Sequence, residues 1–145
     1  MNKSFRKTYP VRFGEIDHAG VMYYPAIFDR IHRAFEDFWA EALGRGYAEV
    51  LERDGVGFPL VDLQASFRKP FRFGDSVEIT LTVVEIGTRS VSFDVLLSGS
   101  GDDGTRAQAR LVTAVIDMDT FRPTALPEAL AEALQPFQSA PDHET

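Results

Sequence analysis

Residues 24–43 read YPAIFDRIHRAFEDFWAEAL, and the spacing inside this stretch decides the fold. Ile27, Ile31, Ala34, Phe35, Phe38 and Ala42 recur at intervals of three and four, the period of an α-helix. Phe28, Trp39 and Leu43 widen the apolar stripe, so a helix of about five turns is expected to be largely buried. Pro25 suits the first helical position, where its missing N–H costs nothing. Gly44 and Gly46 stop the helix.

Outward from this helix the pattern changes. Before it, Phe5, Lys7, Tyr9, Val11 and Phe13 alternate onto one face, which predicts an opening strand with Pro10 at an edge or bulge. A loop with Gly at both ends, GEIDHAG (residues 14–20), joins the two. After it, Tyr47 to Asp54 reads as a short second helix, and beyond Gly55-Val56-Gly57 the period falls to two. Pro59 to Lys69 is one predicted strand. Val77, Ile79, Leu81 and Val83 line the next, Val91, Phe93, Val95 and Leu97 a third, and Ala107, Ala109, Leu111, Thr113 and Val115 a fourth. Phe73-Gly74-Asp75, Gly87-Thr88 and the Gly-rich run 99–104 are hairpin-type turns. Pro127 to Gln135 suits a short terminal helix. One long buried helix followed by consecutive hairpin strands specifies an α+β fold, an antiparallel sheet packed on a helix. The expected organisation is a single domain over residues 1–137 and a short polar tail over 138–145. The other faces of these strands carry Val84, Ile86, Leu96, Val112 and Ala114, continued by Ile116 and Met118. Part of the sheet's outer surface is therefore expected to need a second cover, either self-association or the chain's own ends.

Composition removes several function classes. The 145 residues suit one domain, with 44% hydrophobic and 26% charged residues in ordinary globular proportion. Cysteine is absent, which excludes a disulfide framework, a thiolate metal site and a cysteine nucleophile. Three His, one of them in the tail, argue against a zinc site. The net charge of −7 argues against general nucleic-acid binding, although it permits a local basic patch for a phosphorylated ligand. No apolar run is long enough for a signal peptide or a membrane span, so a cytoplasmic protein is expected. There is no G-x-S-x-G elbow, no G-x-G-x-x-G and no P-loop.

Asp17 is the leading candidate for chemistry. It lies in the loop before the long helix, beside backbone N–H groups that lack intrahelical partners and carry a partial positive charge. Those N–H groups can stabilise a developing oxyanion while the carboxylate attacks or activates water, the two requirements of acyl transfer. Asp in a Gly-flanked loop also suits a plain turn or capping role, and both readings stand on the residues alone. His18 reads as a loop residue, and His32 with Glu36 as a surface pair one helical turn apart. Arg68, Lys69 and Arg72 cluster after the first core strand, Arg89 lies in a hairpin, and Arg106 and Arg110 begin the last strand. Any of these can hold phosphate through charge-assisted hydrogen bonds or simply sit on a solvated surface.

FGEIDHAGVMYYPAIF (residues 13–28) resembles the signature of the 4-hydroxybenzoyl-CoA thioesterase family of hotdog-fold enzymes: Glu15, Asp17, Gly20, Tyr23, Tyr24 and Pro25 fall at its positions. QASFRKPFRFGDSVEI (64–79), with Phe67, Pro70 and Gly74-Asp75, resembles the family's strand pair, and VVEIGTRSVSF (83–93) its hairpin. The similarity runs in the family's order from about Phe5 to Asp119. It implies a long helix wrapped by a curved antiparallel sheet, and dimers through a shared sheet, often paired into tetramers. It further implies an acyl-CoA thioesterase that needs no cofactor, coenzyme A being part of the substrate. By this resemblance Asp17 is the catalytic carboxylate, as nucleophile or general base, and the Tyr24 N–H receives the thioester carbonyl. Gly20, Tyr23 and Pro25 shape the substrate site, and Lys69 and Arg89 are the expected coenzyme A contacts. His32 departs from the acid that relatives often carry there. A non-catalytic acyl-CoA-binding regulator is the rival reading. A hotdog dehydratase is a second, and no His-plus-carboxylate arrangement supports it.

Overall fold

The computed structural model describes residues 3–99, 101 and 104–139. Part of the run 99–104 and residues 140–145 of the expected tail lie outside them. Five strands form one sheet in the order β1-β4-β5-β6-β3, antiparallel throughout. They are β1 (Phe5–Pro10), β3 (Leu60–Phe67), β4 (Ser76–Ile86), β5 (Ser90–Gly99) and β6 (Thr105–Ala114). A separate ribbon pairs β2 (Val56–Gly57) with β7 (Ile116–Asp117). Helix α1 (Tyr24–Asp37) packs into the concave face, α2 is a short turn (Tyr47–Glu49), and α3 (Glu128–Leu134) closes one side. This is the hotdog arrangement that the resemblance implied.

The helical periodicity holds to Asp37, and Ala26, Ile27, Ile31, Ala34 and Phe35 are buried. The chain then widens into a five-residue π-turn, Phe38–Ala42, with the Leu43 N–H donating to Phe38 O at 3.3 Å. An α-helix turns each side chain about 100° from the last, so two adjacent bulky residues cannot both point straight at a core. The wider turn leaves Phe38 and Trp39 both wholly buried. Trp39 lies 4.9 Å from the Phe58 ring and 5.9 Å from Tyr47. Its indole N–H finds no acceptor among the described residues, at a cost of about 1–3 kcal/mol. The expected second helix likewise divides, into α2 and a π-turn over Val50–Asp54 that ends at left-handed Gly55 (φ 71°).

Two expectations change. Phe13 is exposed, because the strand ends at Pro10 and the chain turns outward through a 3-10 turn, Phe13–Glu15. The apolar part of the outer sheet face is smaller than the alternation suggested, because its last two residues leave the main sheet, while Val84, Val112 and Ala114 stay half-buried on it. Ile116 leaves the main sheet to pair in the β2–β7 ribbon, and Met118 packs at Gly57. Ile86 joins the core, and Ser139 donates from its N–H to Val83 O at 2.8 Å, close by Val84. Leu96 stays exposed. Exposed apolar side chains also lie along β3, where Leu60, Val61 and Phe67 face solvent.

Candidate active site

Between β1 and α1 the chain folds into a narrow loop laced by its own backbone. Asp17 N–H donates to Val21 O (3.0 Å), Ile16 faces Met22, and Tyr23 N–H donates to Glu15 O (3.2 Å). Gly20 closes the tip: its N–H reaches Asp17 O (3.0 Å) at φ 82°, a conformation that favours glycine. A second set of bonds fixes the loop to the sheet end. Met22 N–H donates to Phe71 O (2.8 Å), and Val21 bridges to Arg72.

The Asp17 carboxylate is held at one oxygen. Its Oδ1 accepts the N–H groups of Ala19 (2.8 Å) and Val21 (3.4 Å), while Oδ2 has no partner among the described residues. Asp17 therefore shapes the turn with one oxygen and offers the other. The helix beyond starts at Tyr24. Ala26 and Ile27 donate to Tyr23 O (3.0 and 3.2 Å), Pro25 has no N–H, and the Tyr24 N–H is unpaired among the described residues. A single backbone donor with the helix dipole behind it thus stands at the same end of the molecule as Asp17. Gly20, Tyr23 and Pro25 belong to the same segment, so five of the seven expected site residues are brought together.

Tyr24 begins a row of rings, Tyr24 to Phe28 at 6.0 Å and Phe28 to Phe67 at 6.1 Å, of which Phe28 is half-buried and Tyr24 and Phe67 are exposed. Beside Phe28 opens a cavity of about 310 Å³, walled by Phe28, Phe35, Tyr47, Phe58, Leu63 and Leu111. Burial raises the pKa of the Tyr47 phenol, which accepts the Phe58 N–H at 2.9 Å. His32 touches the cavity and pairs with Glu36 at 2.9 Å, the expected surface pair.

The cations divide. Arg68 and Lys69 both donate their N–H to Arg106 O (2.8 and 3.2 Å), and Arg72 bridges to the Asp17 loop. Arg106 itself is held by Asp75 (3.1 Å) and Pro70 O (3.0 Å). Arg68, Lys69 and Arg72 are exposed beside the loop. Arg89 sits at the other end of the sheet. Phe67, just before Lys69, faces Ala107, whereas Ser90, just after Arg89, faces Ala114. At about 3.4 Å per residue the two ends are roughly 24 Å apart, so Lys69 and Arg89 lie at opposite ends of the sheet within a single chain.

One pair escaped the sequence reasoning. Arg30, on α1, forks onto Glu15 through Nε (2.8 Å) and Nη2 (3.0 Å). Nothing in a separation of fifteen residues signals this contact, because it depends on how the loop folds back on the helix. Among the described residues no group of three His, Asp or Glu side chains is placed to hold a metal ion.

Comparison with known proteins agrees with this architecture. The sequence profile of the thioesterase-like superfamily matches residues 11–134. A 1,4-dihydroxy-2-naphthoyl-CoA hydrolase of Synechococcus elongatus is 30% identical over 126 residues, covering 86% of this chain and 90% of that protein. The crystal structure of a hypothetical protein from Thermus thermophilus superposes with a TM-score of 0.82 at 28% identity, covering 92% of this chain and 98% of the other. A 1,4-dihydroxy-2-naphthoyl-CoA thioesterase from Synechocystis also gives a TM-score of 0.82, at 21% identity and over 92% and 96% of the two chains. At that identity the second likeness speaks for the fold.

Proposed function

The chain belongs to the thioesterase-like superfamily, and from that premise we propose how it acts as an acyl-CoA thioester hydrolase, with Asp17 as nucleophile and the Tyr24 N–H as oxyanion donor. The observation that carries this reading is a pair of groups at one end of α1 with no partner among the described residues: Asp17 Oδ2 and the Tyr24 N–H. A carboxylate is a weak base at neutral pH, which favours attack on the carbonyl carbon over activation of water. Asp17 Oδ2 adds to that carbon, and the tetrahedral oxyanion is stabilised by the Tyr24 N–H and the helix dipole. The C–S bond breaks, coenzyme A leaves as thiolate and takes a proton from water. A second water hydrolyses the mixed anhydride, releasing the acid and restoring the Asp17 carboxylate.

The acyl group lies in the cavity beside Phe28, and its aromatic walls favour a ring acyl group. The name of the Synechococcus relative, which acts on a fused-ring aromatic thioester, supports this choice. Gly20, Tyr23 and Pro25 shape the mouth. Lys69, beside Arg68 and Arg72, takes phosphate oxygens of coenzyme A. Arg89 reaches that nucleotide only from a second copy, so the working enzyme is a homodimer, or a tetramer of two such dimers, in the cytoplasm. The reaction needs no cofactor. Thiol release from a panel of aryl-CoA and aliphatic acyl-CoA thioesters tests the reading, with wild type beside Asp17→Asn. Aryl thioesters should be preferred, and Asp17→Asn should lose about 10²–10⁴-fold in rate. Near wild-type turnover in that variant would remove Asp17 from the chemistry. Hydrolysis of aliphatic thioesters alone would remove the aromatic assignment.

A further inference from the structure

We propose that Arg30 and Glu15 are positioning residues, a clamp that fixes the Asp17 carboxylate relative to the Tyr24 N–H. The inference rests on the reading of Asp17 as the catalytic carboxylate.

Glu15 is joined to its surroundings at three places. Its Oε1 accepts the Arg12 N–H (2.8 Å) and Arg30 Nη2 (3.0 Å), its Oε2 accepts Arg30 Nε (2.8 Å), and its carbonyl accepts the Tyr23 N–H (3.2 Å). These tie it to the segment leaving β1, to the body of α1 and to the residue that caps α1. Asp17 follows two residues later. Both Glu15 oxygens are already committed, so Glu15 is not a base in reserve. Arg30 is equally constrained. Its guanidinium lies over the Tyr9 ring at 5.4 Å and donates to Pro10 O at 3.3 Å. The Arg30 and Glu15 side chains are only 12% and 16% exposed, so water competes little for either.

The geometry explains why a fork is used. Tyr24 and Arg30 belong to one rigid helix, less than two turns apart. The Asp17 side of the loop is otherwise joined to the segment entering that helix only by backbone groups of neighbouring loop residues, chiefly Tyr23 N–H to Glu15 O and Asp17 N–H to Val21 O. Among the described residues no other side chain of the helix body joins them. Two parallel N–H···O bonds between planar groups set direction as well as distance. They make strand end, loop and helix start one body. A displacement of about 1 Å between nucleophile and oxyanion donor costs on the order of 10²-fold in rate, and the clamp suppresses such displacements.

The test compares Arg30→Met, Arg30→Lys, Glu15→Gln and the exchange Glu15→Arg/Arg30→Glu, each alone and with Asp17→Asn. Circular dichroism and thermal melting check the fold. The expected result is a kcat lower by roughly 10–100-fold with KM within about twofold. Arg30→Lys, which keeps the charge and loses the fork, should fall with the rest, and the exchange should recover part of the rate. In the Asp17→Asn background none of them should lower the residual rate further. If Arg30→Met fails to fold, Arg30→Lys and Glu15→Gln carry the same comparison. A folded Arg30→Met with unchanged kcat overturns the clamp, as does a rise in KM alone or an equal further loss in the Asp17→Asn background. Near wild-type turnover in Asp17→Asn brings down the reading of Asp17 and the clamp with it. An inactive Asp17→Asn beside an unimpaired Arg30→Met brings down the clamp alone.

Discussion

The two edges of the sheet are built in opposite ways. β1 is closed by its own chain. Phe5 and Tyr9 are buried, the Tyr9 hydroxyl donates to Asp37 (2.6 Å), and Lys7 lies between Asp37 (3.1 Å) and Glu41. Burial and the adjacent Asp37 carboxylate push the Tyr9 phenol far up in pKa, so it stays a neutral donor. Lys3 N–H reaches Pro136 O (2.8 Å), and Pro10 ends the strand with a residue that cannot donate. β3 has none of this. Of its eight residues only Leu63 is partly buried, and it holds no Pro and no Lys. An open edge with exposed Leu60, Val61 and Phe67 is a template for another strand. One edge is finished by the chain; the other is open, as the proposed homodimer requires. Antiparallel pairing of β3 with its symmetry mate would bring the Lys69 end of one copy to the Arg89 end of the other.

The sharpest way to break this comparison is to charge the open edge. Leu60→Lys with Phe67→Lys removes two apolar anchors from each copy, four across a symmetric interface, at about 2 kcal/mol each, and so weakens association by up to roughly 10⁶-fold. Sedimentation at micromolar concentration should show wild type as a dimer or larger and the double variant as a folded monomer with little hydrolysis. A fully active wild-type monomer would refute the shared edge.

Arg89→Ala sharpens the same contrast. In the assembled protein it should raise KM by about 10–150-fold with little change in kcat, less where solvent screens the contact. With a pantetheine thioester, which has no nucleotide, or in the monomeric β3 variant, the change should vanish. Equal losses on both thioesters would mean a structural role for Arg89.

The closed edge predicts a smaller effect. Burial alone would raise the Asp37 pKa, but the hydrogen bonds from Tyr9 and Lys7 outweigh it and hold the carboxyl below its ordinary value. A depressed folded-state pKa gives stability that is complete above the unfolded value, near 3.9, and is lost as pH falls through the lower folded value. Urea midpoints for wild type should therefore fall as the pH drops below about 4, the ordinary carboxylate value. Asp37→Asn should lack this part of the acid limb. An identical acid dependence in both proteins would show that the Tyr9–Asp37–Lys7 contacts do not couple to folding.

What could be read in advance followed from local period. The stripe Ile27, Ile31, Ala34, Phe35 required a buried helix, and the alternation Val77, Ile79, Leu81, Val83 a strand with one face inward. That Asp17 and Tyr24 share one end of α1 was legible because loop and helix start are consecutive in the chain. Features set by distant segments were not. The adjacent Phe38 and Trp39 hinted that the helix must change pitch, but only the surrounding aromatic rings decide that it does. Leu63, Ala65 and Phe67 alternate as a core strand would, yet β3 is an edge because β6 has its other side against β5. The Arg30–Glu15 fork and the separation of Lys69 from Arg89 depend on strand order, which alternation does not encode.

Trp39 has an optical consequence. It is the chain's one tryptophan, wholly shielded from water, and it touches Phe58 and Tyr47, two rings that also wall the cavity proposed for the acyl group. Its fluorescence therefore comes from a single site one ring removed from the ligand. An acyl group that displaces Tyr47 or Phe58 alters the field and the quenching around that indole, while unfolding shifts the same emission to the red. One unlabelled chromophore thus gives separate signatures for occupancy of the cavity and for loss of the core, so binding to an Asp17→Asn protein can be followed with little turnover.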